Sequence, residues 1–201
     1  MLKGTVTLAV VVLSASMAFA QVPGNPYGIP SATARNAVAS HGNHSKPLSG
    51  FTAVGTGNSN FVMALTPCQG LTCPGTDTCT CLTISGVNLK ATGLGHSTLD
   101  ASINVDTSTL TPNGAGDGFC DLASGPATVT AANGSTAALD LTGSFCVGNS
   151  FVNYVLNGGF TVVGGTGHLA NAGGTGNYAI SAPEAFGDSP AAVVMNGAMS
   201  K

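Results

Sequence analysis

The sequence predicts an all-β protein, an antiparallel β-barrel with a β-sandwich as the alternative, on three observations. From Phe51 onward, short β-prone runs recur at near-regular spacing, each ended by Gly, Asn, Asp or Pro. No amphipathic helical segment intervenes between them, which favours antiparallel meanders over parallel crossover units. Charged residues make up 6% of the 201-residue chain. So few charges leave little to guard open sheet edges, and closing the sheet into a barrel removes those edges.

The elements follow in chain order. Residues 1–20 read as a cleavable secretory signal: Met1-Leu2-Lys3, an apolar run from Val6 to Leu13, then small residues at Ala18 and Ala20 before Gln21. Ser14 and Ser16 break the apolar run, so a spanning helix is not expected. Residues 21–49 hold Pro23, Pro26, Pro30 and Pro47 without apolar period and read as a flexible leader. The barrel domain is expected over 50–182, with strands at 61–65, 80–89, 97–105, 118–122, 127–132, 136–146, 152–156, 160–163 and 178–181. Asn133-Gly134 and Asn157-Gly158-Gly159 are each read as hairpin turns. Residues 183–201, with Pro183, Glu184, Asp188 and Pro190, read as a loosely held extension in which 191–195 adds a short strand.

Once the signal is cut, Arg35, Lys46, Lys90 and Lys201 face eight acidic residues. A sparse, mildly acidic surface cannot hold a phosphate backbone, and basic clusters for anionic lipid are missing. Nucleic acid and insertion into the membrane after signal cleavage are therefore excluded as expectations, and no cofactor is predicted.

All six cysteines, Cys68, Cys73, Cys79, Cys81, Cys120 and Cys146, follow the signal. An even count in an exported chain reads as disulfides, which places the protein in a secreted or periplasmic setting. Fifteen full pairings exist. Bridging Cys79 to Cys81 is disfavoured, because an extended backbone holds their α-carbons near the geometric limit. The expectation is Cys120 with Cys146, and the other four among themselves. The spacing does not match paired zinc-ligand units, so no metal is assigned. His41 and His44, three apart, lie among turn formers and read as solvated loop residues.

The most distinctive stretch runs from Phe160 to Gly176 and contains Gly-Gly-Thr-Gly twice, as Gly164-Gly165-Thr166-Gly167 and Gly173-Gly174-Thr175-Gly176. Gly165-x-Gly167-x-x-Ala170 fits the spacing of a dinucleotide fingerprint, but that chemistry needs a helix to start in the glycine turn. Gly173 and Gly174 interrupt any such helix, so the pair reads as two glycine-rich turns around a segment that packs Leu169 inward. An apolar strand, Gly-Gly-Thr-Gly, a basic residue (His168), a large apolar residue (Leu169), two small positions and Gly-x-Gly together resemble the signature of the allene oxide cyclase and dirigent barrel superfamily. The likeness is to its small secreted bacterial proteins in particular. Cys120, Asn133-Gly134, Leu141-Thr142-Gly143 and Cys146 extend the resemblance. It implies a barrel of about eight antiparallel strands with an inner cavity, able to take a small hydrophobic ligand.

Catalytic residues are not assigned. No Gly-x-Ser-x-Gly elbow occurs, and His96 and His168 fall at turns. Asp100, Asp106, Asp117 and Asp121 read as turn-forming carboxylates, and Asn113 with Asp117 falls short of a calcium loop. Three functions are therefore expected in order: a non-enzymatic module that binds a small hydrophobic ligand, a cyclase- or dirigent-type enzyme, and an extracellular structural or adhesion component. The last predicts a filled lumen and self-association.

Overall fold

The computed structural model describes residues 47–61, 65–75, 78–108, 111–113, 116, 118–148, 150 and 152–200. The expected signal, nearly all of the leader, Arg35, the His41/His44 pair and Asp117 lie outside them. In chain order the strands are β1 (Ser49–Phe61), β2 (Cys79–Ala91), β3 (Gly95–Asp106), β4 (Thr111–Pro112), β5 (Gly118–Ala131), β6 (Thr136–Gly148), β7 (Tyr154–Gly165), β8 (Gly173–Ala182) and β9 (Gly187–Ser200). One 3-10 turn, η1 (Gly167–Leu169), joins β7 to β8.

Every ladder is antiparallel. The order β3-β2-β1-β9-β8-β7-β6-β5 closes on itself through β3–β5 pairing, giving an eight-stranded barrel. The barrel, not the sandwich, is the fold. β4 stands outside the ring, with Thr111 opposite Cys120 and Pro112 opposite Phe119, and extends the sheet along the start of β5.

Period-two alternation sets inside from outside. In β9, Ala191, Val193 and Met195 are buried while Pro190, Ala192, Val194 and Asn196 are exposed. The buried side chains of all eight barrel strands form one contiguous apolar core. Register shifts at Ile84/Val87 in β2 and at Thr56/Asn58 in β1 bend the sheet toward closure. At the β2 bulge, Gly86 donates its N–H to Asp100 Oδ1 at 2.9 Å.

Four expectations need correction. The segment read as a loose extension is β9, a full strand hydrogen-bonded to β1 and β8 and part of the barrel wall. Its prolines disguised it: Pro183 precedes the strand, and Pro190 sits near its start, where one missing donor is tolerated. The strand placed at 61–65 instead ends at Phe61, having begun at Ser49. Segments 118–122 and 127–132 are one strand, β5, running through Gly125-Pro126.

Asn157-Gly158-Gly159 is not a turn but the middle of β7, where Gly158 lies opposite Gly143 of β6. A Cβ on either glycine would collide with the backbone across from it, so both allow close strand approach. Asn133-Gly134, in contrast, is the β5–β6 hairpin as read. Gly134 sits at φ +80° and donates to Ala131 O at 2.9 Å, and Ala131 donates to Ser135 O at 2.9 Å. Asn133 Oδ1 accepts the Ser135 N–H at 3.0 Å.

Gly134→Ala forces a Cβ into a left-handed conformation at a cost of about 1–2 kcal/mol. Thermal unfolding is expected to show Tm lowered by roughly 2–8 °C, with the barrel retained by far-UV circular dichroism.

Candidate functional site

The up-and-down order gives the barrel two unlike mouths. At one, β2–β3, β5–β6 and β7–β8 are joined by short turns. At the other lie the longer β1–β2 and β3–β5 connections, together with all three disulfides.

The first Gly-Gly-Thr-Gly lies at the short-turn mouth. Gly164 and Gly165 end β7, and Gly167 takes φ +58° to start η1. Leu169 is thereby turned inward and is 2% exposed, joining the core as a plug over this mouth. The turn is laced to the neighbouring hairpin: Thr166 donates its N–H to Thr136 O at 2.8 Å, their hydroxyls meet at 2.8 Å, and His168 donates its N–H to Ser135 Oγ at 3.0 Å. The second copy is not a turn. Gly173, Gly174 and Gly176 open β8, and a Cβ on Gly174 or Gly176 would strike the β9 backbone. Both copies thus have steric work to do, with no ligand required.

At the opposite mouth Cys68 bonds Cys81, Cys73 bonds Cys79, and Cys120 bonds Cys146. The last joins two residues directly opposite each other on β5 and β6. The first two tie the β1–β2 connection to the start of β2, and the Cys79–Cys81 bridge does not form. These bonds are consistent with an oxidising environment.

Sequence reasoning passed over Asn104, which is fully buried in β3. Its Oδ1 accepts the Cys68 N–H at 2.6 Å, and its Nδ2 donates to Thr72 O at 3.0 Å, so it holds the bridged connection from below. The signal was available: an amide in an otherwise apolar strand end, Ile103-Asn104-Val105.

The titratable candidates are not brought together. His96 is exposed at the start of β3 opposite Lys90, and His168 is exposed in η1. Asp100 faces outward at the β2 bulge, and Asp106 is buried, accepting the N–H and hydroxyl of Ser108 at 3.0 and 2.7 Å. Asp121, also buried, accepts the Thr111 N–H at 3.4 Å and so helps seat β4. Among the described residues no group of three His, Cys, Asp or Glu is placed to hold a metal.

The interior is aromatic near the bridged mouth. Phe186, on the β8–β9 turn, stacks on Phe61 at 5.7 Å; Phe61 meets Phe145 at 5.0 Å, and Phe145 meets Tyr154 at 5.0 Å. Toward the other mouth Phe51 meets Phe160 edge-on at 6.0 Å. Two phenols stand out, because Tyr154 and Tyr178 are buried with hydroxyls that have no hydrogen-bond partner among the described residues. Burial raises both above the usual phenol value. Ser59 lies close enough to Tyr154 to offset part of its rise without a well-formed hydrogen bond. On the outside, one groove of about 390 Å³ crosses β1, β9, β8 and β7 near the bridged mouth, and another of about 360 Å³ crosses β2, β3 and β5 beside Asp100.

No protein-family model matches the chain, and no curated protein matches it.

Chain entropy ranks the staples by loop length. Cys120→Ala/Cys146→Ala opens a sequence separation of 26 and is expected to cost about 3–4 kcal/mol. Cys73→Ala/Cys79→Ala opens a separation of 6 and is expected to cost about 2 kcal/mol. Non-reducing urea titration of the two double variants checks the ranking.

Proposed function

We propose that this protein is an exported, non-enzymatic barrel module, secreted or periplasmic, that works through its outer surface as a structural or adhesion component. The observation that carries this reading is the interior. The space in which a barrel of this size would hold a ligand is occupied by the protein's own side chains, from Phe51 through Leu156 to Met199. Three disulfides and the signal-like sequence of residues 1–20 support export. The eight-stranded closure, with Gly-Gly-Thr-Gly leading into the turn that plugs one mouth, supports kinship of fold with the allene oxide cyclase and dirigent barrels.

A second reading rests on the Tyr154 and Tyr178 hydroxyls. Buried polar groups are nearly always paired, and two unpaired donors inside a barrel suit a small, largely apolar molecule with a hydrogen-bond acceptor. The same phenols would be the polar groups available to a cyclase- or dirigent-type reaction.

Tyr178→Phe separates these readings. If the interior is only packing, removing an unpaired buried hydroxyl relieves about 1–3 kcal/mol and raises Tm by several degrees. If the interior holds a ligand, native mass spectrometry of the chain recovered from its host's exported fraction shows an adduct that Tyr178→Phe weakens. An adduct that depends on this hydroxyl would sink the packing reading.

The phenols also set an alkaline limit. Because burial raises their folded values above 10.0, both states are neutral below that pH and stability is unaffected there. Above it the unfolded chain ionises first, so stability falls as pH rises, by up to about 1.4 kcal/mol per pH unit per phenol. Denaturant midpoints are expected to hold from pH 9 to 10 and to fall from there to pH 12, less steeply in Tyr178→Phe.

A further inference from the structure

We infer that a second copy of this chain docks on the outer wall built by β7, β8, β9 and β1. The register places outward side chains of these four strands in lateral rows. Val54 lies beside Val194, which lies beside Ala179, which lies beside Asn157. One step toward the bridged mouth, Thr56, Ala192, Ser181 and Val155 form the next row. The two rows on the other side contain Gly, Ala, Thr and Asn alone. Across all four rows there is no charge and nothing longer than asparagine. At the centre, Val54 and Val194 are paired and exposed, at 54% and 45%.

The opposite wall differs. Lys90, His96, Asp100 and Asp140 all point outward there, from β2, β3 and β6. On the wall of β7, β8, β9 and β1 the exposed carboxylate of β9, Asp188, lies at the strand's start, beyond the four rows.

An isologous contact sets a patch against itself, so any charge near the axis meets its own copy. The four rows carry none to repel. Their short side chains leave the wall smooth, which suits sheet-on-sheet packing. Contact over the four strands and four rows covers roughly 19 Å by 26 Å, taking about 4.8 Å between strands and about 3.3 Å per residue. That is about 500 Å² per copy and about 1,000 Å² in total, at the lower end of what a specific pair needs and in keeping with a weak one. The pairing deepens the structural reading above, which calls for self-association, but it is argued from this wall alone, since a monomer would have the same packed interior.

Sedimentation velocity of the disulfide-bonded full chain from about 1 to 200 µM tests it. The expected result is a monomer–dimer equilibrium with a micromolar dissociation constant, unchanged between 0.1 and 0.5 M NaCl because no ion pairs hold it. Val54→Lys/Val194→Lys sets two ammonium groups per copy in the contact and is expected to weaken the pair at least about tenfold. Thr83→Lys/Thr128→Lys, on the opposite wall, leaves it intact. Hydrogen exchange of the unaltered chain gives a second readout, with protection of β8, β9 and β1 rising with concentration. A chain that stays monomeric at 200 µM overturns the proposal. So does a dimer that survives Val54→Lys/Val194→Lys, a salt-labile dimer, or a chain that pairs only with a different exported protein.

Discussion

The pairing of β3 with β5 is the constraint on which the rest of this structure depends. Seven of the eight barrel ladders join strands that an open sheet would pair equally well; this one turns the sheet into a ring. Without it, β3 and β5 would both expose unpaired N–H and C=O groups, and the chain has few charges with which to protect such edges. With it, each strand acquires an inside and an outside, and alternation decides the fate of every side chain. The β4 addition covers the part of β5 that β3 has already left, where Asp106 ends the pairing strand.

Closure also explains the contrast between the two mouths. Where turns are short, local hydrogen bonds and one inserted leucine, Leu169, complete the core. The long connections at the other mouth have backbone that a turn cannot satisfy. There the chain uses covalent links, and it uses Asn104, a fully buried amide that gives backbone groups of the bridged connection partners they would otherwise lack. The aromatic file from Phe186 to Tyr154 fills the barrel beneath these bridges, so covalent and packing constraints act on the same end.

Much of the fold was legible because period-two alternation and turn chemistry are local. The β2, β3 and β6 runs and the Asn133-Gly134 hairpin follow from neighbouring residues alone, and Cys120 with Cys146 came out as a pair. The errors arose where glycine or proline has two physical meanings. In Gly158 the missing Cβ serves close strand approach, and no one-dimensional pattern tells that from a turn. Pro190 reads as a breaker until its place near the start of a strand is known. Of the candidate site, the cysteines and Leu169 were visible, while the unpaired phenols were not. Tyr154 and Tyr178 look like ordinary inward residues until the neighbours of their hydroxyls are known, and those neighbours come from other strands.

The scarcity of charge links interior to exterior. A protein with this composition must meet water through hydroxyls, amides and exposed backbone of small residues, which are weakly solvated compared with lysine or glutamate. Such a surface is tolerable only when its backbone is fully paired, and closure does that on every wall. The few charges that remain are then free to be distributed by something other than solubility. Asp100 secures the β2 bulge, and Asp188 accepts a hydrogen bond from the side chain of Asn60 at 2.6 Å where β9 starts. Asp106 orders the chain as it leaves β3. Each is placed where the sheet bends or a strand begins or ends. The flat, uncharged wall of β7, β8, β9 and β1 is what remains when none of those local needs arises: its outward rows lie across the middles of the strands, away from the strand ends that the carboxylates secure.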